Sequence, residues 1–244
     1  MRRFLLYLIP TIIINCSNSN NKSINIDSLE EVGIYKVNPE TGDPYTGKAA
    51  KTYENGELEL EGHYIDGLKN GLWIGWHSNG QKAQEINYSS GKQDGLKMEW
   101  YFNGQKKMEG FLQLGIQNGL FTFWYENGNK MEETMWENGE QNGKLSYWFE
   151  NGDKKCVVNF TNNKKDGLCT WWHSNGQKSS EGFYTNGERE KTWSFWYENG
   201  QKKAEIDYFE GKERIFNEWN EDGTLKKTAS KLKSVMENLS KKKL

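Results

Sequence analysis

The chain has 244 residues, a formal net charge of -2, and 14% aromatic residues against 34% hydrophobic residues in all. With 11 Trp, 12 Tyr, 11 Phe and 26 Gly, it is too aromatic for a disordered chain and too poor in aliphatics for a thick globular core. Charges of both signs are interspersed, which leaves no basic track for phosphates and excludes nucleic acid as a partner.

Arg2 and Arg3 precede an apolar run from Phe4 to Ile14, and Cys16 comes next. This is a targeting pattern, and as a helix the run would reach about 16 Å against the roughly 30 Å of a bilayer core. Ile13 three residues before Cys16 resembles a bacterial lipobox. The resemblance implies lipidation of Cys16, loss of residues 1–15, and a lipoprotein held on a membrane of the cell envelope, facing the periplasm or the exterior. A plain secretory signal, an uncleaved anchor and an apolar first strand are the other readings. Residues 16–31, rich in Ser and Asn at their start, read as a flexible tether.

A 24-residue repeat governs the rest of the chain. Asn-Gly closes at Gly56, Gly80, Gly104, Gly128, Gly152, Gly176 and Gly200, and Asp222-Gly223 comes one residue early. Trp stands four residues before Gly in all but the first unit, at Trp76, Trp100, Trp124, Trp148, Trp172, Trp196 and Trp219. A second turn falls in mid-repeat, at pairs such as Asp66-Gly67, Asp94-Gly95, Asn118-Gly119 and Asp166-Gly167. The runs between turns are strand-length, about seven residues, and too short for stable helices.

Asn-Gly at 79–80 predicts a two-residue type I′ turn, with Ser78 opposite Gln81 and Trp76 opposite Ala83. The mid-repeat turn is expected to be longer, bulged or of about four to six residues. Alternation then puts Leu72, Ile74 and Trp76 on one face with Ala83 and Glu85, and Trp73, Gly75 and His77 on the other with Ile86 and Tyr88. One buried Trp returns about 4–6 kcal/mol, far below the cost of ordering a repeat, so each hairpin needs neighbours that cover its rings.

The expected fold is all-β: an elongated, single-layer antiparallel sheet of hairpin repeats over residues 32–227. A short helix over residues 228–241, with Leu232, Val235, Met236 and Leu239 on one face and a basic tail to residue 244, is expected to cap the last strand or to touch anionic lipid.

The units from Gly71 to Lys82 (GLWIGWHSNGQK) and from Gly119 to Lys130 (GLFTFWYENGNK) resemble the MORN-repeat variant, in the form found in bacterial YwqK-family antitoxins of toxin–antitoxin systems. The stretch Pro44 to Gly47 is also similar to that family. The resemblance covers residues 44–226. It implies a MORN-like hairpin ladder, a role in protein or membrane contact, and antitoxin or immunity-type neutralisation as an alternative.

No catalytic, cofactor or metal constellation is expected. Glu61, Glu85, Glu109, Glu133, Glu181 and Glu205 recur five residues after Gly, as architecture does and a catalytic pair does not. His77 and His173 lie four repeats apart, about 40 Å at 10 Å per repeat, and cannot share a metal. Cys156 and Cys169 flank one mid-repeat turn, as packed thiols or as a disulfide. The candidate binding surface is aromatic: Trp73, Phe121, Trp171 and Trp193, with His77, Tyr101, Tyr125, His173 and Tyr197. These rings either bury one another or form a stripe for a protein or a glycan. A ring-lined groove would favour glycan, and a flat apolar patch would favour protein.

Overall fold

The computed structural model describes residues 23–230, and they are almost entirely strand. In chain order these are β1 (Ile24–Asn25), β2 (Glu30–Val32), β3 (Tyr35–Val37), β4 (Gly47–Thr52), β5 (Leu58–Ile65), β6 (Leu68–Trp76) and β7 (Lys82–Ser89). Next come β8 (Lys92–Trp100), β9 (Lys106–Gln113), β10 (Ile116–Gln117), β11 (Gly119–Trp124), β12 (Lys130–Glu137), β13 (Glu140–Trp148) and β14 (Lys154–Thr161). The last are β15 (Lys164–Lys165), β16 (Gly167–Trp172), β17 (Lys178–Thr185), β18 (Glu188–Trp196), β19 (Lys202–Phe209), β20 (Lys212–Trp219) and β21 (Leu225–Ser230).

All but β2 and β3 belong to one 19-stranded sheet. From β4 to β21 each hairpin pairs antiparallel with the next, as in β6 with β7 and β7 with β8. The interrupted strands β10–β11 and β15–β16 each pair on one side with a single strand, β9 and β14. Among the described residues only β1 pairs in parallel, placing Ile24 beside Ala49. The result is the long, open hairpin sheet that the 24-residue period implies.

Both ends depart from expectation. Residues 24–31 are not a tether. Leu29 is 5% exposed and packs with Ala49, Tyr64 and Trp73, supported by Ile24 and Ile26. No repeat hairpin pairs ahead of the first repeat in the sheet, and this segment takes that place over its rings. At the other end, residues 228–230 continue β21 opposite Ile215, Phe216 and Asn217, so no helix begins at 228. Residues 1–22 and 231–244, with Cys16 and the rest of the expected helix, lie outside the described residues.

The two turn types are exchanged relative to the expectation from sequence. At Asn79-Gly80 the Gly80 amide donates to the His77 carbonyl at 2.9 Å and the His77 amide to the Gln81 carbonyl at 2.8 Å. Ser78 and Asn79 keep negative φ and only Gly80 turns positive, at 78°. This is a three-residue loop, a type I turn closed by a left-handed glycine, and it bulges the pairing at Trp76, which faces Lys82. Away from the bulge the expected register holds: Ile74 faces Glu85 and Trp73 faces Ile86.

The two-residue turns are the mid-repeat ones. Asp66-Gly67, Ser90-Gly91, Leu114-Gly115, Asn138-Gly139, Asn162-Asn163, Asn186-Gly187 and Glu210-Gly211 all have positive φ at both positions. They too step by 24 residues. Gly95, Gly119 and Gly167, read as turn residues, instead start or interrupt strands at positive φ.

Pairing also shifts between Glu61 and His63 on β5, beside the positive φ of Gly71 on β6. A bulge bends its strand. The Tyr64 ring thereby meets the Trp73 ring edge-on at 4.9 Å, although Tyr64 is paired with Lys69. Trp73 is 2% exposed, Phe121 2% and Trp193 1%. Gly62, Gly110 and Gly182 lie under these three rings, where a Cβ would come within 2.1, 2.2 and 2.2 Å of ring carbon. Where the ring is replaced, the neighbour grows: Thr134 faces Leu145, and Val158 packs with Cys169. The sheet fills its inner face by matching large to small across strands.

Candidate interaction surface

Three hydrogen-bond or charge ladders join successive repeats, and they absorb much of what the sequence offered as a binding stripe. The first uses the ring after each repeat Trp, or after Thr52 in the first unit. Tyr53 donates to the Trp76 carbonyl at 2.7 Å, Tyr101 to Trp124 at 2.7 Å, Tyr125 to Trp148 at 2.9 Å and Tyr197 to Trp219 at 3.0 Å. His77 and His173 stand in the same column, each with Nε2 3.0 Å from the carbonyl of Trp100 or Trp196. A carbonyl only accepts, so Nε2 carries the proton.

The second ladder runs through the Asn of each Asn-Gly pair. Asn79 Oδ1 accepts from the Gln81 amide at 3.1 Å, and its Nδ2 donates to the Phe102 carbonyl at 2.8 Å. Asn103, Asn127, Asn175 and Asn199 reach the next turn in the same way. The third ladder needs the bulge, which brings Lys82 onto the face of Glu85. These two form an ion pair, and Lys82 also lies 5.4 Å from the centre of the Trp100 ring. Lys106, Lys130, Lys178 and Lys202 repeat the arrangement with Glu109, Glu133, Glu181 and Glu205. They rest against Trp124, Trp148, Trp196 and Trp219. Each contact is worth under about 1 kcal/mol at an exposed site, but the pattern recurs along the sheet.

One unit interrupts all three ladders. Phe149 has no hydroxyl, Asn151 Nδ2 turns to Asp153 of its own loop, and Val157 replaces the glutamate.

The expected binding residues therefore fall into two groups. Trp73, Phe121 and Trp193 are core, and the indole nitrogens of the two Trp donate to the His63 and Phe183 carbonyls at 3.2 and 3.0 Å. They cannot form an exposed stripe, because the bend places the mid-repeat tips over them. His77, Tyr101, Tyr125, His173 and Tyr197 are half-buried ladder members, and Trp171 is half-buried 5.6 Å from Trp193. Cys156 and Cys169 are buried free thiols, and burial raises both above the usual thiol range. Cys156 faces Trp171 rather than Cys169, which leaves the two thiols on a diagonal.

The surface that is exposed is a different one. On the outer face, where alternation already placed Leu72, a row crosses consecutive strands. Leu96 faces Phe111 and Leu120 faces Met135. These four are 38%, 45%, 49% and 41% exposed, and Leu72 and Leu168 extend the row at 46% and 41%. Lys144 and Asn159 interrupt it between Met135 and Leu168. The available signal was the Leu before each ring position, at 72, 96, 120 and 168.

An open sheet of repeated hairpins, joined turn to turn and carrying an exposed apolar row, defines a β-hairpin repeat protein. Four segments match the family model described as MORN repeat variant: residues 69–90, 117–138, 165–186 and 189–210. The chain thus carries four repeats of the MORN variant. Each ends on the first residue of a two-residue turn, Ser90, Asn138, Asn186 or Glu210. The hairpins between them, β8–β9 and β13–β14, repeat the same registers. No curated protein matches the chain.

Proposed function

We propose that this is a non-enzymatic scaffold that docks a protein partner on the outer face of its sheet, held in the cell envelope by a lipid on Cys16. MORN repeats generally serve protein or membrane contact. The observation that carries the reading is the row Leu96, Phe111, Leu120 and Met135, apolar and exposed on four successive strands of the outer face. Exposed apolar side chains in a contiguous row mark interaction sites. The alternative of a glycan-binding aromatic stripe loses support, because the rings at its centre are core. An antitoxin or immunity role is compatible with partner docking, since neutralisation is one use of such a face.

The test is crosslinking in the native envelope and then mass spectrometry, on the wild type and on a Leu96→Glu, Leu120→Glu variant. The reading expects one dominant protein crosslinked through the outer face, lost in the variant while the anchor persists. A Cys16→Ser chain that stays membrane-bound would count against the anchor. An unchanged crosslink in the double variant would overturn the docking face.

A further inference from the structure

One cleft departs from the repeat symmetry. The β2–β3 hairpin is the only non-repeat hairpin among the described residues. It is locked to the first mid-repeat turn, where the Lys36 amide donates to the Gly67 carbonyl at 2.8 Å and the Gly67 amide to the Tyr45 carbonyl at 2.8 Å. Between this hairpin and the tips of the next two lies a cleft of about 410 Å³. Its apolar wall is made by Ile34, Tyr64 and Leu68, and Lys36, Lys69 and Lys92 line it as well.

The charges are unevenly matched. Glu31, the one carboxylate in the lining, pairs with Lys36 at 3.1 Å. Lys69 has no ion-pair partner among the described residues; its ammonium lies 4.4 Å over the Trp73 ring and 5.2 Å over the Tyr88 ring. Burial, and then the charge of Lys36, lower its pKa. A cation at this position recurs over Trp193, where Arg189 lies 4.5 Å from the ring, but Gln117 stands there in the Phe121 repeat, so a buried ring does not by itself require one. A half-buried ammonium beside a second one, over an apolar wall, is a site that an anion would relieve.

We propose that this cleft binds a small amphipathic monocarboxylate, its carboxylate between Lys69 and Lys92 and its apolar body against Ile34, Tyr64 and Leu68. Glu31 disfavours a multiply charged phosphate, and Lys36–Glu31 pairing leaves Lys69 and Lys92, two cations that the two oxygens of one carboxylate can bridge. The site is separate from the outer-face row and does not depend on it.

The experiment is calorimetric titration of the full chain with hexanoate, acetate, hexanol and inorganic phosphate. Hexanoate is expected to bind, with acetate and hexanol each weaker by about tenfold or more, as loss of either the apolar body or the charge implies. Lys69→Gln, which copies Gln117 of the Phe121 repeat, gives up a cation–ring contact worth under about 1 kcal/mol and is expected to keep the fold while weakening hexanoate by roughly tenfold. Lys165→Gln, at the same repeat position without the flanking hairpin, is expected to leave it unchanged. No heat with hexanoate, equal affinity in Lys69→Gln, or tighter binding of phosphate than of hexanoate would each overturn the proposal.

Discussion

The Tyr101 hydroxyl donates to the Trp124 carbonyl oxygen at 2.7 Å, from one three-residue turn to the strand that enters the next. Residues 23 apart in sequence, or 22 at Tyr197, are thus tied at every step where the chain offers a donor. The bond explains why a ring with a polar tip comes directly after the repeat Trp, and why His substitutes for Tyr there. Tyr101→Phe should cost about 0.5–1.5 kcal/mol in urea unfolding, the usual net worth of such a bond. Phe149→Tyr should stabilise the chain by a similar amount, by supplying the missing donor toward Trp172. A stabilising Tyr101→Phe would mean that the bond is not what holds the turns together.

Asparagine is used at position 103 for both ends of its amide. Its Oδ1 accepts from the Gln105 amide at 2.9 Å and its Nδ2 donates to the Glu126 carbonyl at 2.9 Å. Asn103→Asp keeps the first and sets a carboxylate against a carbonyl oxygen in the second. It should destabilise by about 1 kcal/mol or more, whereas Asn151→Ser, which removes only a bond to the Asp153 carboxylate of its own loop and keeps a side-chain oxygen for the Asp153 amide, should be milder. Paired thermal denaturation of the two variants checks the difference.

The inner face depends on size matching. Gly62→Ala places a methyl 2.1 Å from the Trp73 ring carbon and should destabilise by about 1–3 kcal/mol. Adding Trp73→Leu to Gly62→Thr copies the Thr134–Leu145 pairing and should recover part of that loss, giving a favourable coupling in a double-mutant cycle. Strict additivity would argue that Gly62 and Trp73 do not share a packing site.

The period, the hairpin ladder and the register of Trp73 with Ile86 were legible because turn dipeptides and alternation report them directly. Turn type was not. Asn79-Gly80 is the usual signal for a two-residue turn, yet the protein uses that dipeptide for a side-chain link to the next repeat and a bulge that aims Lys82 at Glu85. Leu114-Gly115 and Glu210-Gly211 form the tight turns instead, with Leu114 and Glu210 held at positive φ by the pairing on either side. Alternation also sorts residues by face and says nothing of depth. It put Trp73 with His77 correctly, but the bend at Gly71 that buries the first and leaves the second half-exposed has no counterpart in a two-residue period. The N-terminal cap was hidden for another reason: Ile24, Ile26 and Leu29 are few among polar neighbours, and only the uncovered first repeat gives them a use.

Acid should loosen the outer ladder. Glu181 has its pKa lowered, first by the hydrogen bond from Lys178 and also by that from Thr170. The unfolded chain therefore takes up this proton more readily than the folded one. The pair's contribution is present above the unfolded carboxylate pKa and is lost as pH falls through the lower folded value. Glu181→Gln should flatten the acid limb of a stability–pH profile and leave the neutral limb little changed; an acid limb as steep as the wild type's would rule out this source.

Native-state hydrogen exchange on a Phe121→Ala variant tests the continuous row most directly, since that ring is core and central. Nearest-neighbour coupling predicts that protection falls most in β9, β11 and β12, less in the hairpins on either side, and least near β4 and β20. An equal loss from β4 to β20, or a loss that stops at the mutated hairpin, would contradict it.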